Sequence, residues 1–292
     1  MDENEFMARQ FEAHRPHLRA VAYRMLGSVS EAEDAVQESW IRLARSDTSE
    51  VENLAGWLTT VVARVCLNLL QSRRSRRENL LGVHLPDPIV GTIEDVGPEH
   101  DALLADSVGL ALLVVLDTLT PSERLAFVLH DMFAVPFEDI APIVDRSPAA
   151  ARQLASRARR RLQGAPVPDS DVARQREVVD AFLAAARGGS FEELVAVLDP
   201  DVVLRADVGV VPAGASTEVR GAEQVAARAL NFARLARFAH PALVNGTAGA
   251  VAIAEGQVLS VLGVTIRGGR IVEIDILADR DRLARLTVED FH

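Results

Sequence analysis

The 292-residue sequence has no lysine; all 31 of its basic residues are arginine. Polypeptide chemistry does not require this, and it reads as the coding bias of a GC-rich genome. The single cysteine, Cys66, excludes an internal disulfide. No apolar run approaches the ~20 residues of a membrane helix. The acidic opening "MDENEFMARQ" lacks the hydrophobic segment of a secretory signal. Together these absences lead us to expect a cytoplasmic protein with no membrane partner. There is no phosphate-cradling GxxxxGK loop, no paired Cys/His spacing and no nucleophile motif. We therefore expect no cofactor, no metal and no catalytic residue.

The formal net charge of -11 is unevenly spread. Residues 80–117 hold seven acids and no arginine, whereas residues 118–163 hold seven arginines against five acids. Overall acidity therefore does not exclude nucleic acid, because what matters is whether arginines gather on one face.

The length fits two or three domains, each able to bury a core. The first block is helical. Gly27 is a candidate helix stop, and Ser30 with Glu33 has the spacing of a capping box for the next helix. From residue 54, Leu54, Trp57, Leu58, Val61, Val62, Val65, Cys66, Leu69 and Leu70 form an apolar stripe of helical period, ending in "QSRRSRRE". Thr60, Arg64, Asn68 and Gln71 lie opposite the stripe. Cys66 sits within it and reads as inert core. Residues 80–98, with three prolines and three glycines, read as a linker. A helix then runs from near Pro98 to about Leu119. "TPSE" at 120–123 is a second capping box, and short helices follow at 121–132 and 136–144.

After a tight "DRS" turn, Ser147 and Pro148 open "RSPAAARQLASRARRRL", with six arginines in seventeen residues. On a helix, Ala151, Leu154, Ala155, Ala158 and Leu162 share a narrow face, while Arg152, Gln153, Ser156, Arg157 and Arg160 project from the others. A short helix, a tight turn and a second helix with a small-residue packing face describe a helix-turn-helix. Arginine forks match guanine edges and phosphates, and glutamine can pair with adenine. The alternative is a solvated basic helix whose arginines favour the C-terminal dipole. That accounts for Arg159–Arg161 but not for Arg152 and Gln153 in the first turns.

Residues 6–162 resemble a sigma factor of the extracytoplasmic-function (ECF) group, the two-domain initiation subunits of bacterial RNA polymerase. "AEDAVQESWIRL" is similar to the segment of sigma domain 2 that docks on the polymerase β′ clamp helices. "LAGWLTTVVARVCLNLLQSRRSRRE" is similar to the helix that melts and reads the -10 element. "LTPSERLAFVLHDMFAVPFEDIAPIVDRSPAAARQLASRARRRL" is similar to sigma domain 4, whose last helix reads the -35 element.

The resemblance implies that Asp34, Gln37 and Glu38 contact core polymerase, and that Arg64 and Asn68 line the pocket for unpaired -10 bases. By the same resemblance, Arg73, Arg74, Arg76 and Arg77 hold phosphates, and Arg152, Gln153, Ser156, Arg157 and Arg160 read the -35 element. The implied partners are the β′ clamp helices, the β flap and promoter DNA. Trp57 keeps two readings, core packing and base contact. The acidic linker also keeps two, a nucleic-acid mimic inside polymerase and a solvated spacer.

A second linker, "QGAPVPDSD", precedes about 127 further residues. Helices at 172–187 and 190–198, a strand, a helix, and four strands punctuated by glycine indicate an α+β domain. "RGGR" is a hairpin-turn candidate. This order is similar to the cone-shaped SnoaL-like fold, which some ECF sigma factors carry as an extension. "VHLPDP" at 83–88 resembles a tryptophan-leucine-proline linker motif of that subgroup, with His84 in place of the tryptophan. "ADVGVVPAG" and "ILADRDRL" depart from two of its other signatures.

The expected architecture is thus multidomain. It places an all-α sigma domain 2 at 1–79, a linker at 80–98 and an all-α helix-turn-helix sigma domain 4 at 99–163. A linker at 164–171 and an α+β SnoaL-like domain at 172–292 complete it. The extension is expected to contact the sigma domains or their linker and to modulate activity in cis. Arg205, Asp207 and His240, with Asn231 and Asn245, are candidate polar liners of its pocket. An Asp–His pair there would suit acid–base work or ligand sensing. A different class of function also fits: a stand-alone helix-turn-helix regulator with a ligand-sensing C-terminal domain. Such a protein has no need of the segment at 31–77.

Overall fold

The computed structural model describes residues 3–46, 53–77, 83–91, 109–164, 168–209 and 217–286. The chain divides into two compact units. One joins Met1–Leu80 to Val115–Gly164, and the other joins Leu81–Val114 to Ala165–His292. The described residues of the first linker therefore group with the C-terminal part of the chain.

In the first unit, α1 (Glu3–Leu26), α2 (Val29–Leu43) and α3 (Leu54–Arg77) pack together. Gly27, at φ 66°, ends α1 in the left-handed conformation that glycine adopts without a Cβ penalty. The expected Ser30–Glu33 box does not form. Ser28 is the N-cap of α2, and the Glu33 carboxylate turns across to Arg19 at 2.8 Å, on α1. A charged pair between helices outcompetes a local cap.

The stripe on α3 behaves as its period requires, with Leu58, Val62 and Cys66 fully buried. By length and composition alone Leu54–Arg73 is apolar enough to cross a membrane, contrary to expectation. Its polar side, with Arg64 and Asn68 exposed, is what the average conceals. Burial pushes the Cys66 thiol up to about 12, opposed by the charge of Arg124. Cys66 is therefore expected to resist a thiol reagent such as DTNB at pH 8 in the folded protein and to react at once in denaturant. Rapid native labelling would contradict this packing.

After α4 (Leu110–Leu116), which crosses from one unit to the other, α5 (Pro121–Phe127) starts on the expected capping box. The Thr120 hydroxyl accepts from the Glu123 amide, and the Glu123 carboxylate accepts from the Thr120 amide. One π-helical turn, Val128–Met132, leads to α6 (Phe137–Ile140) and α7 (Pro148–Leu162). Asp145, at φ 52°, makes the sharp turn, and the Ser147 hydroxyl accepts from the Ala150 amide to cap α7.

This half of the unit is fastened to α1. Arg124 is 2% exposed; its Nε donates to the Arg24 carbonyl at 3.0 Å and Nη1 pairs with Asp117. Phe133 meets the His17 ring edge-on at 5.2 Å, with the Arg24 guanidinium 4.7 Å above its face.

The second unit is α+β. α8 (Val172–Gly188) and α9 (Phe191–Val197) precede β2 (Leu198–Asp207) and β3 (Thr217–Arg220). α10 (Ala222–Asn231) and α11 (Ala233–Ala236) follow. Next come β4 (Ala239–Val244), β5 (Thr247–Ala254), β6 (Gln257–Arg267), β7 (Arg270–Leu277) and α12 (Arg280–Leu283). With β1 (Val90–Gly91) the sheet order is β1-β4-β5-β6-β7-β2-β3, antiparallel except for the parallel β2–β7 pair.

The turns Asn245-Gly246, Glu255-Gly256 and Gly268-Gly269 all have both φ angles positive. That is the type I′ geometry whose twist matches the flanking strands, and it pins the register of β4 to β7. Neither β1 nor β3 was expected from the sequence. One face of the sheet packs against α8, α9 and α10 through Val179, Phe182, Leu183, Leu194, Leu204, Val225 and Ile274.

Candidate nucleic-acid interface and linker latch

On α7, Ala151, Ala155 and Ala158 are fully buried, so the helix axis sits close to its neighbours. Arg152, Gln153, Arg157 and Arg160 are exposed and Ser156 is partly so, which brings the five expected -35 residues onto the outer side of one helix. Three arginines of this helix also have carboxylate partners. Arg157 and Arg161 face Glu123 at 3.6 and 3.0 Å, and Arg159 grips Asp131 at 2.6 Å. Arg152 lies 5.2 Å over the Phe137 ring. These contacts orient long side chains before any anion arrives.

Arg64 and Asn68, one turn apart, are exposed on α3, and Trp57 is half-buried. Arg73 is placed differently from the expected phosphate contact. It is half-buried, pairs with Glu31, and donates to the Leu26 carbonyl at 2.9 Å. An unsatisfied carbonyl at the end of α1 and an anion on α2 give it nearer partners. Arg74, Arg76 and Arg77 continue the helix, and their side chains lie outside the described set. On α2, Asp34 and Gln37 are exposed, and Glu38 is partly exposed and pairs with Arg42 at 3.0 Å.

The linker has a defined seat on the sheet of its own unit. Val90 and Gly91 pair antiparallel with Val244 and Leu243. The buried Asn245 side chain accepts from the Ile89 amide at 3.1 Å, and the Asn245 backbone N–H donates to the Ile89 carbonyl at 2.8 Å. Leu85 is fully buried, and its amide donates to Asp207 at 2.9 Å.

Arg282, on α12, gathers the rest. It donates to the Leu85 carbonyl, to Asp87 and to Asp207, each at 2.7 Å. His84 Nδ1 lies 3.4 Å from Asp207. Burial raises the Asp207 carboxyl, but its bonds to His84, to the Leu85 and Gly209 amides and to Arg282 outweigh that and hold it below the usual range. Arg282 went unnoticed in the sequence. The only signal was the pair of arginines in "ILADRDRL", and the partners of Arg282 lie 75 to 197 residues away. The expected nucleic-acid mimic Glu94, Asp95, Glu99 and Asp101 lies outside the described residues.

The C-terminal domain contains a cavity of about 160 Å³ between sheet and helices. Arg205, Asp207, His240, Asn231 and Asn245 are not among its lining residues, which corrects the expectation. The reason is the period of two along a strand. Leu204 and Ala206 point into the cavity, so Arg205 and Asp207 point to the opposite face. There Arg205 donates to Asp275 at 2.8 Å and to Glu273 at 2.7 Å, and Asp207 belongs to the latch. His240 is exposed on β4. Among the described residues no group of three or more His, Cys, Asp or Glu is placed to hold a metal.

The Sigma-70 region 2 family pattern matches residues 10–76, and Sigma-70 region 4 matches residues 109–162. The chain is 38% identical over 288 residues to the ECF RNA polymerase sigma factor SigJ of Mycobacterium tuberculosis, covering 94% of this chain and 92% of that one. It is 32% identical over 296 residues to a probable ECF sigma factor SigI of the same species, covering 99% of each. The crystal structure of M. tuberculosis SigJ superposes with a TM-score of 0.77 at 35% identity, covering 95% of this chain and 98% of that one. The match over 10–76 is the part that a stand-alone helix-turn-helix regulator does not need. With helical regions 2 and 4 in this order, followed by an α+β curved-sheet domain of the SnoaL-like kind, the chain belongs to the ECF sigma factors, the promoter-selecting initiation subunits of bacterial RNA polymerase.

Proposed function

We propose that this sigma factor reads the -35 element with the outward residues of α7 and the melted -10 element with Arg64 and Asn68. Asp34, Gln37 and Glu38 dock on the polymerase β′ clamp helices, and the region around α5–α7 meets the β flap, in the cytoplasm where polymerase works. The observation that carries the reading is the outward set of exposed Arg152, Gln153, Arg157 and Arg160 with partly exposed Ser156, on a helix whose other side is buried alanine. A bidentate arginine–guanine contact contributes about 1–3 kcal/mol of discrimination. Holding an extruded base in a polar pocket offsets the few kcal/mol needed to unstack it.

The C-terminal domain modulates this activity in cis by holding the linker. Arg282, Asp207 and Asn245 make the hold, and they support treating residues 172–292 as a regulatory domain and 1–79 and 99–163 as the sigma domains proper. A sigma factor must stretch between two promoter elements, so a linker seated on another domain changes how readily it does so.

Run-off transcription with bacterial core polymerase on a promoter library tests this reading. The full chain is expected to give promoter-dependent transcripts. R152A/R157A is expected to lose at least roughly 30-fold of them, from two contacts at about 1 kcal/mol or more each. Unchanged output and unchanged -35 preference in that variant would sink the assignment of α7.

A further inference from the structure

We propose that the cavity of the C-terminal domain is a binding site for a small, uncharged, apolar molecule of about one to two rings. Nineteen of the described residues line it, and among these only Arg228 and Ser260 are polar. No carboxylate, histidine or cysteine is among them, so the wall offers neither acid–base chemistry nor a metal ligand set. What it offers is hydrocarbon: Phe182, Leu183, Leu204, Leu262, Ile274 and Ile276 surround the space.

The space is kept open by residue choice. Eight of the nineteen lining residues are alanine, drawn from α8, α10, α11, β2, β4 and β5 and from the segment after β7. A core packed to ordinary interior density would carry larger side chains at such positions. An apolar cavity of this size stays dry and accepts benzene-sized guests, because water there would forgo its hydrogen bonds.

The cavity also has an entrance. Phe232 lines it and is 49% exposed, and the Arg228 guanidinium lies 5.1 Å over its ring. Arg228 and Phe232 together make the rim, with the guanidinium stacked on the exposed ring. The cavity side of β2 and β7 backs directly onto the face that carries Arg205, Asp207, Glu273 and Asp275. A guest would therefore press on strands whose other side holds the linker.

The test uses the full chain and the uncharged two-ring fluorophore 1-aminonaphthalene. Saturable, one-to-one fluorescence enhancement is expected. A250L and A252F, which fill the cavity from β5, should weaken it at least tenfold, with folding verified by circular dichroism. A227L, on the exposed side of α10, should leave it unchanged. Absence of saturable enhancement, or enhancement that persists in a folded filled variant, overturns the proposal. Competition on the unmodified chain decides the matter if the filled variants do not fold. Naphthalene should displace the probe and naphthalene-2-sulfonate should not; no displacement by naphthalene, or equal displacement by both, overturns the ligand class. The assay reads binding by the free chain, so its outcome is independent of any transcription result.

Discussion

Replacing Arg282 by alanine is expected to destabilise the C-terminal unit by about 3–5 kcal/mol and to free residues 83–91 from the sheet. The magnitude follows from what is left behind. The Asp207 side chain is 4% exposed and Arg282 is 14% exposed, so the pair sits largely out of water. Removing the guanidinium leaves a buried carboxylate with fewer donors and strips the Leu85 carbonyl of its bond from Arg282. R282K should recover only part of the loss, because one ammonium cannot reproduce a fork that reaches Leu85, Asp87 and Asp207 together.

Amide hydrogen exchange reads the effect residue by residue. The Leu85 and Ile89 amides, bonded to Asp207 and Asn245, should be protected in the parent and should exchange fast in R282A. The β5 and β6 amides should stay slow in both. Unchanged protection at Leu85 in a folded R282A protein would mean that Arg282 is not what holds the linker. In run-off assays the same variant separates regulation from recognition, because it leaves α3 and α7 untouched.

The second large effect concerns the buried cluster on the same face of the sheet. Arg205 bridges Glu273 and Asp275, whose side chains are 10% and 2% exposed, so two carboxylates share one cation. Burial, opposed by Arg205 and reinforced by the neighbouring Glu273 charge, pushes the Asp275 carboxyl up to about 6 from an ordinary 3.8. An acid whose folded-state pKa lies above its unfolded value favours the folded state at low pH. That contribution is fully present below about 3.8, declines as pH rises, and is gone above about 6. At 1.36 kcal/mol per unit the decline is about 3 kcal/mol.

Urea unfolding at intervals from pH 4 to 7.5 should therefore show the parent losing stability relative to D275N, in which the position no longer titrates. Parallel profiles for the two proteins would refute the assignment. R205M should cost about 3–5 kcal/mol at neutral pH by leaving both carboxylates buried without their shared cation. R205M/D275N should recover part of that, and the non-additivity measures the coupling.

Much of the chain is legible from sequence because the signals are local. The apolar stripe of α3, the Thr120–Glu123 box, Ser147 with Pro148, and the glycine turn at 268–269 each act within a few residues, where sterics and hydrogen bonds leave few choices. The exposed set on α7 is legible for the same reason, since a period of 3.6 places side chains without reference to the rest of the protein. Ser30 with Glu33 was equally local in form and failed, because Arg19 on the neighbouring helix offered Glu33 a charged partner.

What tertiary structure decided is nonlocal and depends on register. Two residues of the linker become a strand only because Val244 and Leu243 offer free backbone groups more than 150 residues later. Arg205 and Asp207 were legible as polar residues on a strand, but which face they occupy rests on the pairing of β2 with β7. A shift of one residue reverses every side chain. By itself the sequence determined the helices, the hairpins and the arginine row. The sheet's register determined that the cavity is apolar and that Arg282 holds the linker, because alternation across a strand acquires meaning only once one face is buried.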